Sequence, residues 1–385
     1  MKTLQIGLGW FPERKGGLER YYYDLSLYLP KVDVELQGLV AGSNRVIETS
    51  QGKVRSFASH EDSIIKRSLN IRKLFKQITS QETYPLVVSH FPLYLFPLLP
   101  EIKNYPLVTH FHGPWASESI VETNKNFVTK AKKALEKACY KSSTEFIVLS
   151  NSFRDILSQQ YKIPLSQINV IPGGVNLKQF AIDSSIAEAR TKLNWSQDRT
   201  IIFCVRRLAK RMGLENLIYA ICDIKKRYPD ILLYIAGKGE LAVALQKQIE
   251  KLDLQNNVVL LGFVADELLP LAYRAANFSV IPTISFEGFG LVVVESLAAG
   301  TPIIGTPVGG IPEILEPFSK DLLFADSSID SLATGIIEAL SGKRALPSAD
   351  ACRAYVRQNY DWENIARQIK LVYEKAIFSK KSFHQ

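Results

Sequence analysis

The sequence predicts an α/β protein built on two parallel sheets. Short β-rich runs alternate with longer helical patterns along most of the chain. That alternation stops once, at the polar stretch NLKQFAIDSSIAEARTKLNWSQDRT, and then resumes. At 385 residues the chain is long for one hydrophobic core and comfortable for two. The interruption places a boundary near residues 170–198. Two α/β halves would leave a cleft between them, a common place for a ligand.

In chain order, LQIGLGW reads as the first strand, and the loop FPERKGG leads to LERYYYDLSLYL. There Leu18, Tyr22, Leu25 and Leu29 fall on one helical face. PLVVSHF, PLVTHFH and EFIVLS are further short apolar runs, each followed by helix or turn signals. INVIPGGV is a strand ending in a Pro-Gly-Gly turn. The second series is TIIFCVRRL, ILLYIAGKG, NVVLLGFV, FSVIPTI and TPIIGTPVGG, followed by the helical pattern WENIARQIKLVYEKAI.

Composition narrows the class. With 46% hydrophobic and 22% charged residues, the chain is of soluble globular type. The most apolar span, YPLVVSHFPLYLFPLLP, carries four prolines and His90, so strand, loop and short helix explain it better than a membrane span. MKTLQIGLGWFPERKGG lacks the long apolar region and cleavage site of a signal peptide. Cys139, Cys204, Cys222 and Cys352 have no metal or redox spacing and read as buried thiols in a reducing compartment. The net charge of +9 favours anionic partners without choosing among phosphorylated ligands, nucleic acid and an acidic membrane. No aromatic–basic ribbon or zinc pattern supports nucleic acid. In the densest basic segment, Lys125 to Lys141, Phe127, Ala131, Leu135, Ala138 and Cys139 recur at helical spacing, which reads as one buried stripe with lysines in solvent rather than a membrane anchor.

Four features lie at the carboxyl ends of expected strands, where parallel sheets collect ligands. Lys15-Gly16-Gly17 reads either as an anion-binding turn before a helix N-terminus or as an ordinary βα turn. His110 and His112 share a strand face, and with no carboxylate or third histidine close in sequence they are not read as a metal pair. His112, nearer the strand end, is the better ligand contact. Arg206, Arg207, Lys210 and Arg211 follow a fully apolar strand and suit a diphosphate clamp. In SFEGFGLVVVESLAAGTP, Glu287 belongs to a loop and Glu295 to the buried helix after it, with the free amides of the helix start between them. Two carboxylates flanking a phosphate site fit a nucleotide-sugar: sugar hydroxyls, diphosphate, ribose hydroxyls.

The stretch EGFGLVVVESLAAGTPIIGTPVGGIPEIL, the loop Gly16 to Glu19, His112-Gly113, VIPGGVN and the helix after Trp362 resemble the retaining glycosyltransferases of family 4. That family has the GT-B fold, two Rossmann-like domains whose parallel sheets face each other across a cleft. The resemblance implies an N-terminal acceptor-side domain at 1–175, a donor-binding domain at 176–362, and a helix at 363–385 crossing back to the first domain. It implies that Glu287 contacts the donor sugar and Glu295 the ribose. Phe289, Gly290 and Leu291 would offer backbone contacts to sugar and phosphate. Gly16 and Gly17 would lie over the donor phosphates, His112 would face the reacting sugar, and Arg207 would bind the diphosphate. Met212 stands where the family usually has a lysine, so Arg211 is the candidate second cation.

The expected activity is transfer of a hexose, with retention, from a UDP- or GDP-sugar to a saccharide or lipid-linked acceptor in cell-surface polysaccharide or glycolipid synthesis. No Asp-x-Asp occurs, so neither a metal ion nor another cofactor is expected. The expected location is cytoplasmic, with peripheral contact at the inner face of an anionic membrane as an option. A nucleotide-sugar epimerase, a sugar phosphorylase and a non-catalytic nucleotide-sugar-binding subunit remain alternatives on the same scaffold.

Overall fold

The computed structural model describes residues 1–118 and 126–382. The chain forms two compact units, one of Met1–Gly174 with the chain from Trp362, the other Val175–Asp361. It crosses between them at Gly174/Val175 and Asp361/Trp362, one residue earlier each time than the expected boundaries.

In the first unit, seven parallel strands stand in the order β3-β2-β1-β4-β5-β6-β7. They are β1 (Lys2–Ile6), β2 (Glu35–Ala41), β3 (Val54–Ala58), β4 (Leu86–Ser89), β5 (Leu107–Phe111), β6 (Glu145–Val148) and β7 (Ile168–Val170). β2 and β3 were not expected. ELQGLVA breaks its apolar run with Glu35, Gln37 and Gly38, and VRSFA is an edge strand with Arg55 and Ser56. Alternate residues serve opposite faces of the sheet. Val87, Leu107 and Phe111 enter one apolar layer, joined by Ile71, Phe75 and Ile78 of α2 (Ile64–Gln81). Leu86, Val88, Val108 and Ile147 enter the other layer, with Tyr21, Tyr22 and Leu25 of α1 (Gly17–Tyr28). A third helix, α3 (Asn126–Lys141), follows β5; Lys125, at the head of the expected basic segment, lies outside the described residues.

The second unit has five parallel strands in the order β10-β9-β8-β11-β12: β8 (Ile201–Val205), β9 (Leu232–Ala236), β10 (Val258–Gly262), β11 (Phe278–Ile281) and β12 (Ile303–Gly305). Three of its helices matter below: α4 (Leu214–Ile224), whose Leu214, Leu217, Ile218 and Ile221 are buried, α5 (Leu269–Ala275) and α6 (Leu291–Ala298). The final helix, α7 (Trp362–Ser382), belongs to the first unit. Its Trp362, Ile365, Ile369, Tyr373 and Ala376 join Tyr22 and Leu25 in one core layer. Gly174 is needed at that junction, because a Cβ there would come within 2.6 Å of the Trp362 ring.

Candidate functional site

Each sheet order contains one reversal. In the second unit it falls between β8 and β11, neighbours whose chain continuations run to opposite sides. Open α/β sheets bind ligands in the crevice outside such a point. Arg206 directly follows β8, while Thr283 and Glu287 follow β11. A guanidinium nitrogen of Arg206 donates to Thr283 Oγ1 and to Glu287 Oε2. Both charged side chains are largely out of solvent, at 8% and 14% exposure, so the pairing offsets a large desolvation cost. Glu287 Oε1 has no hydrogen bond among the described residues, so one carboxylate oxygen is held and the other is available.

The loop carrying Glu287 is braced from several sides. Gly310 N–H donates to the Glu287 carbonyl at 2.9 Å. Gly309, at φ +60°, approaches the same carbonyl so closely that a Cβ would sit 1.9 Å from the oxygen. Phe286 adopts φ +54°, and its carbonyl accepts from Arg211 Nη1 at 2.7 Å. Part of Arg211's fork thus supports the loop, a use the sequence did not suggest. Met212 is 6% exposed and packs in the core of the unit, so it stands clear of any anion. Arg207 is exposed at the mouth of β8.

Gly290, at φ +96°, opens α6 without a side-chain cap. Val293 N–H turns back onto the Gly290 carbonyl at 2.8 Å, which leaves the amides of Leu291 and Val292 as the donors a helix start offers. Phe289 is buried and packs near Tyr360, with ring centroids 5.7 Å apart, so its ring is committed to the packing. Glu295 is 5% exposed and accepts from Tyr273 Oη of α5 at 3.0 Å. That partner eases the cost of burying a carboxylate in an apolar helix.

In the first unit the reversal falls between β1 and β4. Gly16 and Gly17 lie after β1, and Gly17 begins α1. The first turn of that helix already faces a carboxylate. Glu19, 3% exposed, pairs with Arg14 at 2.8 Å, and a Cβ on Gly16 would lie 2.4 Å from Glu19 Oε2. Burial pushes the Glu19 carboxyl upward, with Arg14 and its own backbone N–H pulling the other way.

Three histidines gather at the strand ends. β5 supplies His110 and leads to His112, and His90 directly follows β4. His90 comes from a neighbouring strand, so no spacing around His110 could reveal it. His90 Nε2 donates to Gln5 Oε1 at 2.9 Å. His110 is clasped by Tyr21 Oη at 3.1 Å on Nδ1 and Tyr373 Oη at 2.9 Å on Nε2. Burial lowers the pKa of all three; His90 and His110 fall well below the ordinary value and His112 falls to about 3. They are neutral imidazoles at neutral pH. Nitrogens of the three lie within 4.8 Å of one another. The His90 and His110 rings, however, stack at 4.5 Å with planes 26° apart, which keeps their lone pairs in separate planes. The arrangement is a hydrogen-bonded aromatic stack rather than a cage. His112 Nε2 is buried and has no hydrogen-bond partner among the described residues.

The site residues therefore fall into two groups. Arg206, Arg207, Arg211, Glu287, Phe289, Gly290, Leu291 and Glu295 lie in the second unit, and Gly16, Gly17 and His112 in the first. Thr283, Tyr273, Tyr21 and Tyr373 are partners that sequence reasoning missed, as is Arg206's role as the cation on Glu287.

Comparison with known proteins adds to this geometry. Residues 185–359 match the family model described as glycosyl transferases group 1. Residues 15–179 match the model described as glycosyltransferase family 4. The chain is 32% identical over 254 residues to an uncharacterized glycosyltransferase of Methanocaldococcus jannaschii, covering 65% of this chain and 64% of that protein. It is 28% identical over 214 residues to a GDP-mannose-dependent alpha-(1-6)-phosphatidylinositol monomannoside mannosyltransferase of Mycobacterium tuberculosis, covering 54% and 55%. The match thus spans less than two thirds of either relative. Among solved structures, sucrose-phosphate synthase from Thermosynechococcus elongatus superposes with a TM-score of 0.84 over 98% of this chain and 99% of that one, at 24% identity. That likeness is one of fold, and the fold is GT-B.

Proposed function

The chain belongs to the glycosyl transferases of group 1, family 4, and from that premise we propose that it is a retaining hexosyltransferase that works without a metal ion. It takes the hexose from a UDP- or GDP-sugar and passes it to a saccharide or lipid-linked acceptor, in cell-surface polysaccharide or glycolipid synthesis. The observation that carries this reading is the meeting of Arg206, Thr283 and Glu287 at the β8/β11 reversal, beside the start of α6.

In this reading the free oxygen of Glu287 accepts from a hydroxyl of the donor sugar. The α6 amides near Gly290 and Leu291 and the exposed Arg207 take the diphosphate, and Glu295 takes the ribose. As the bond from the anomeric carbon to the phosphate oxygen breaks, negative charge grows on the leaving diphosphate, where Arg207 and the helix start stabilise it. Removing one such donor costs on the order of 100-fold in rate. The acceptor oxygen bonds to the anomeric carbon on the same face, and its proton passes to the departing phosphate oxygen. Protein cations and amides replace a divalent ion, in keeping with the lack of Asp-x-Asp. Arg211, tied to Phe286, acts mainly by shaping the loop. Glu19 makes the Gly16–Gly17 turn a poorer anion seat than its glycines suggest, so those residues contribute backbone approach only. His112 is assigned to the donor sugar as a neutral hydrogen-bonding group.

The relative acting on a phosphatidylinositol mannoside supports a lipid-linked acceptor and GDP-mannose among donors. Contact with such an acceptor is proposed at the cytoplasmic face; no helix among the described residues is long and apolar enough to cross a membrane. Thermal-shift screening with UDP- and GDP-sugars identifies the donor, because a ligand bound only by the folded state raises its melting temperature. Arg207→Ala is then expected to lower transfer by about 100-fold with the fold intact, and Glu287→Gln by a similar factor with some loss of stability, because Arg206 keeps its burial and loses its carboxylate. Unchanged donor turnover in Arg207→Ala would overturn the clamp.

A further inference from the structure

Arg206 and Arg207 follow β8 and, by strand alternation, serve opposite faces of the sheet. Arg206 continues the row of Ile202 and Cys204, which packs with Leu208, Met212 and Leu214 in one core layer with α4. The end of β9 fixes its backbone. Arg206 N–H donates to the Ala236 carbonyl at 2.9 Å. Gly237, at φ +145°, comes so close that a Cβ there would sit 1.8 Å from the Arg206 carbonyl oxygen. The side chain then reaches Thr283 and Glu287 beyond β11. Thr283 is itself held. Its carbonyl accepts from Thr306 Oγ1 at 2.6 Å, and Ile284 N–H, next along the chain, donates to the Arg211 carbonyl at 2.9 Å.

The fork of Arg206 is used unevenly. Nη2 serves both Thr283 and Glu287. Nε is buried and has no hydrogen-bond partner among the described residues, on a side chain only 8% exposed. A charged group carrying an unmatched buried N–H is costly, and an oxygen supplied by a ligand removes that cost. The surroundings favour an anionic oxygen. Three residues, 288–290, separate Glu287 from α6, whose Leu291 and Val292 amides are the donors of its start. Guanidinium and helix-start amides together make a phosphate-binding set. Of the later cations in this run, Arg211 is tied to the Phe286 carbonyl at 2.7 Å and Lys210 stands in solvent. Glu287 adds a reason of its own, because its negative charge would repel a phosphate unless a cation stood between them.

We propose that Arg206 bridges Glu287 to the donor diphosphate: Nη2 keeps the carboxylate, and Nε takes a phosphate oxygen. This rests on the transferase reading and deepens it with a second cation on the leaving group, beside Arg207. Glu287 then has two opposed effects. It serves the donor sugar, and its charge draws Arg206 away from the phosphate. Removing that charge should tighten the hold on a nucleoside diphosphate while transfer falls. An ion pair that served structure alone would behave otherwise, since losing the carboxylate would loosen the loop and weaken binding.

The test is isothermal titration of the full chain with UDP and GDP, and with uridine and guanosine as their uncharged counterparts. Glu287→Gln is expected to bind the diphosphate that the wild type prefers about three- to ten-fold more tightly. Arg206→Gln added to Glu287→Gln keeps the pair neutral, so neither partner is left as a buried lone charge. That double variant is expected to bind the diphosphate about ten- to hundred-fold more weakly than Glu287→Gln, with nucleoside affinity unchanged. Arg206→Lys on the same background keeps the charge without the fork and should fall between the two. Melting followed by circular dichroism checks that each variant is folded at the assay temperature. Weaker diphosphate binding by Glu287→Gln than by the wild type would overturn the inference. So would equal affinity in Glu287→Gln and the double variant, or a parallel loss of nucleoside and diphosphate binding. Wild-type protein that binds neither UDP nor GDP would overturn the transferase reading and the inference with it, so the two failures are told apart.

Discussion

The two units handle charge in opposite ways. The second gathers permanent charges at its sheet reversal, an arginine and a carboxylate that compensate each other across Thr283. The first gathers groups kept neutral, three imidazoles stacked between tyrosines. Imidazoles stay neutral only while burial keeps their pKa down. The second arrangement therefore sets a charged pair at its strand ends, and the first sets a hydrogen-bonded group without charge at neutral pH.

The sharpest way to break this comparison is to uncover one charge. Arg206→Ala leaves the Glu287 carboxylate nearly buried without its cation and should cost about 3–5 kcal/mol of second-unit stability in denaturant unfolding. Combining it with Glu287→Gln should recover a good part of that loss. A double variant as unstable as the sum of the singles would show that the pair is not coupled.

Next in size is a pH effect within the first unit. Glu136 is fully buried, accepts from Tyr161 Oη at 2.7 Å, and has a carboxyl pushed up by burial to about 7. Between about 4.5 and 7 the folded chain holds a proton that the unfolded chain has lost. Stability should therefore fall as pH rises through that window, by about 3 kcal/mol in all. His112 acts in the other sense. With a folded pKa of about 3 against an ordinary 6.5, it binds fewer protons when folded, so its contribution is present above 6.5 and lost as pH drops toward 3. The two slopes oppose each other between about 4.5 and 6.5. Glu136→Gln should unmask the acid sensitivity of the histidines, and melting curves across pH decide it.

Smaller effects probe the packing. Gly174→Ala forces a methyl against Trp362 and should cost about 1–3 kcal/mol. Tyr373→Phe removes one of the hydroxyls on His110 and should cost about 1 kcal/mol. An unchanged melting midpoint in the latter would show that the clasp on His110 is dispensable.

What the sequence made legible follows the same division. Glu287 and Glu295 stand eight positions apart in one loop and helix, so their context could be read directly. Both sheets were visible in the runs of apolar residues, except where β2 and β3 dilute theirs with polar ones. Pairings across long separations were not legible. Arg206 meets Glu287 across 81 positions, and His110 meets Tyr373 across 263. The Arg206–Arg211 run announced a cationic site, but which arginine answers the glutamate is decided by the order of strands. The Gly16–Gly17 turn looked receptive to anions because the inward turn of Glu19 depends on its pairing with Arg14.

The final helix has a consequence for biogenesis. Trp362, Ile369 and Tyr373 complete a layer of the first unit that Leu86, Val88 and Val108 begin. While a ribosome is still making the middle of the chain, those strands have α1 on that side but lack the rest of their cover. The contiguous stretch Val175–Asp361 can close its own core first, so the earliest residues synthesised are among the last to be sealed. A nascent or trimmed polypeptide lacking the last turns would present a sticky apolar sheet, the kind of surface that chaperones hold and proteases find.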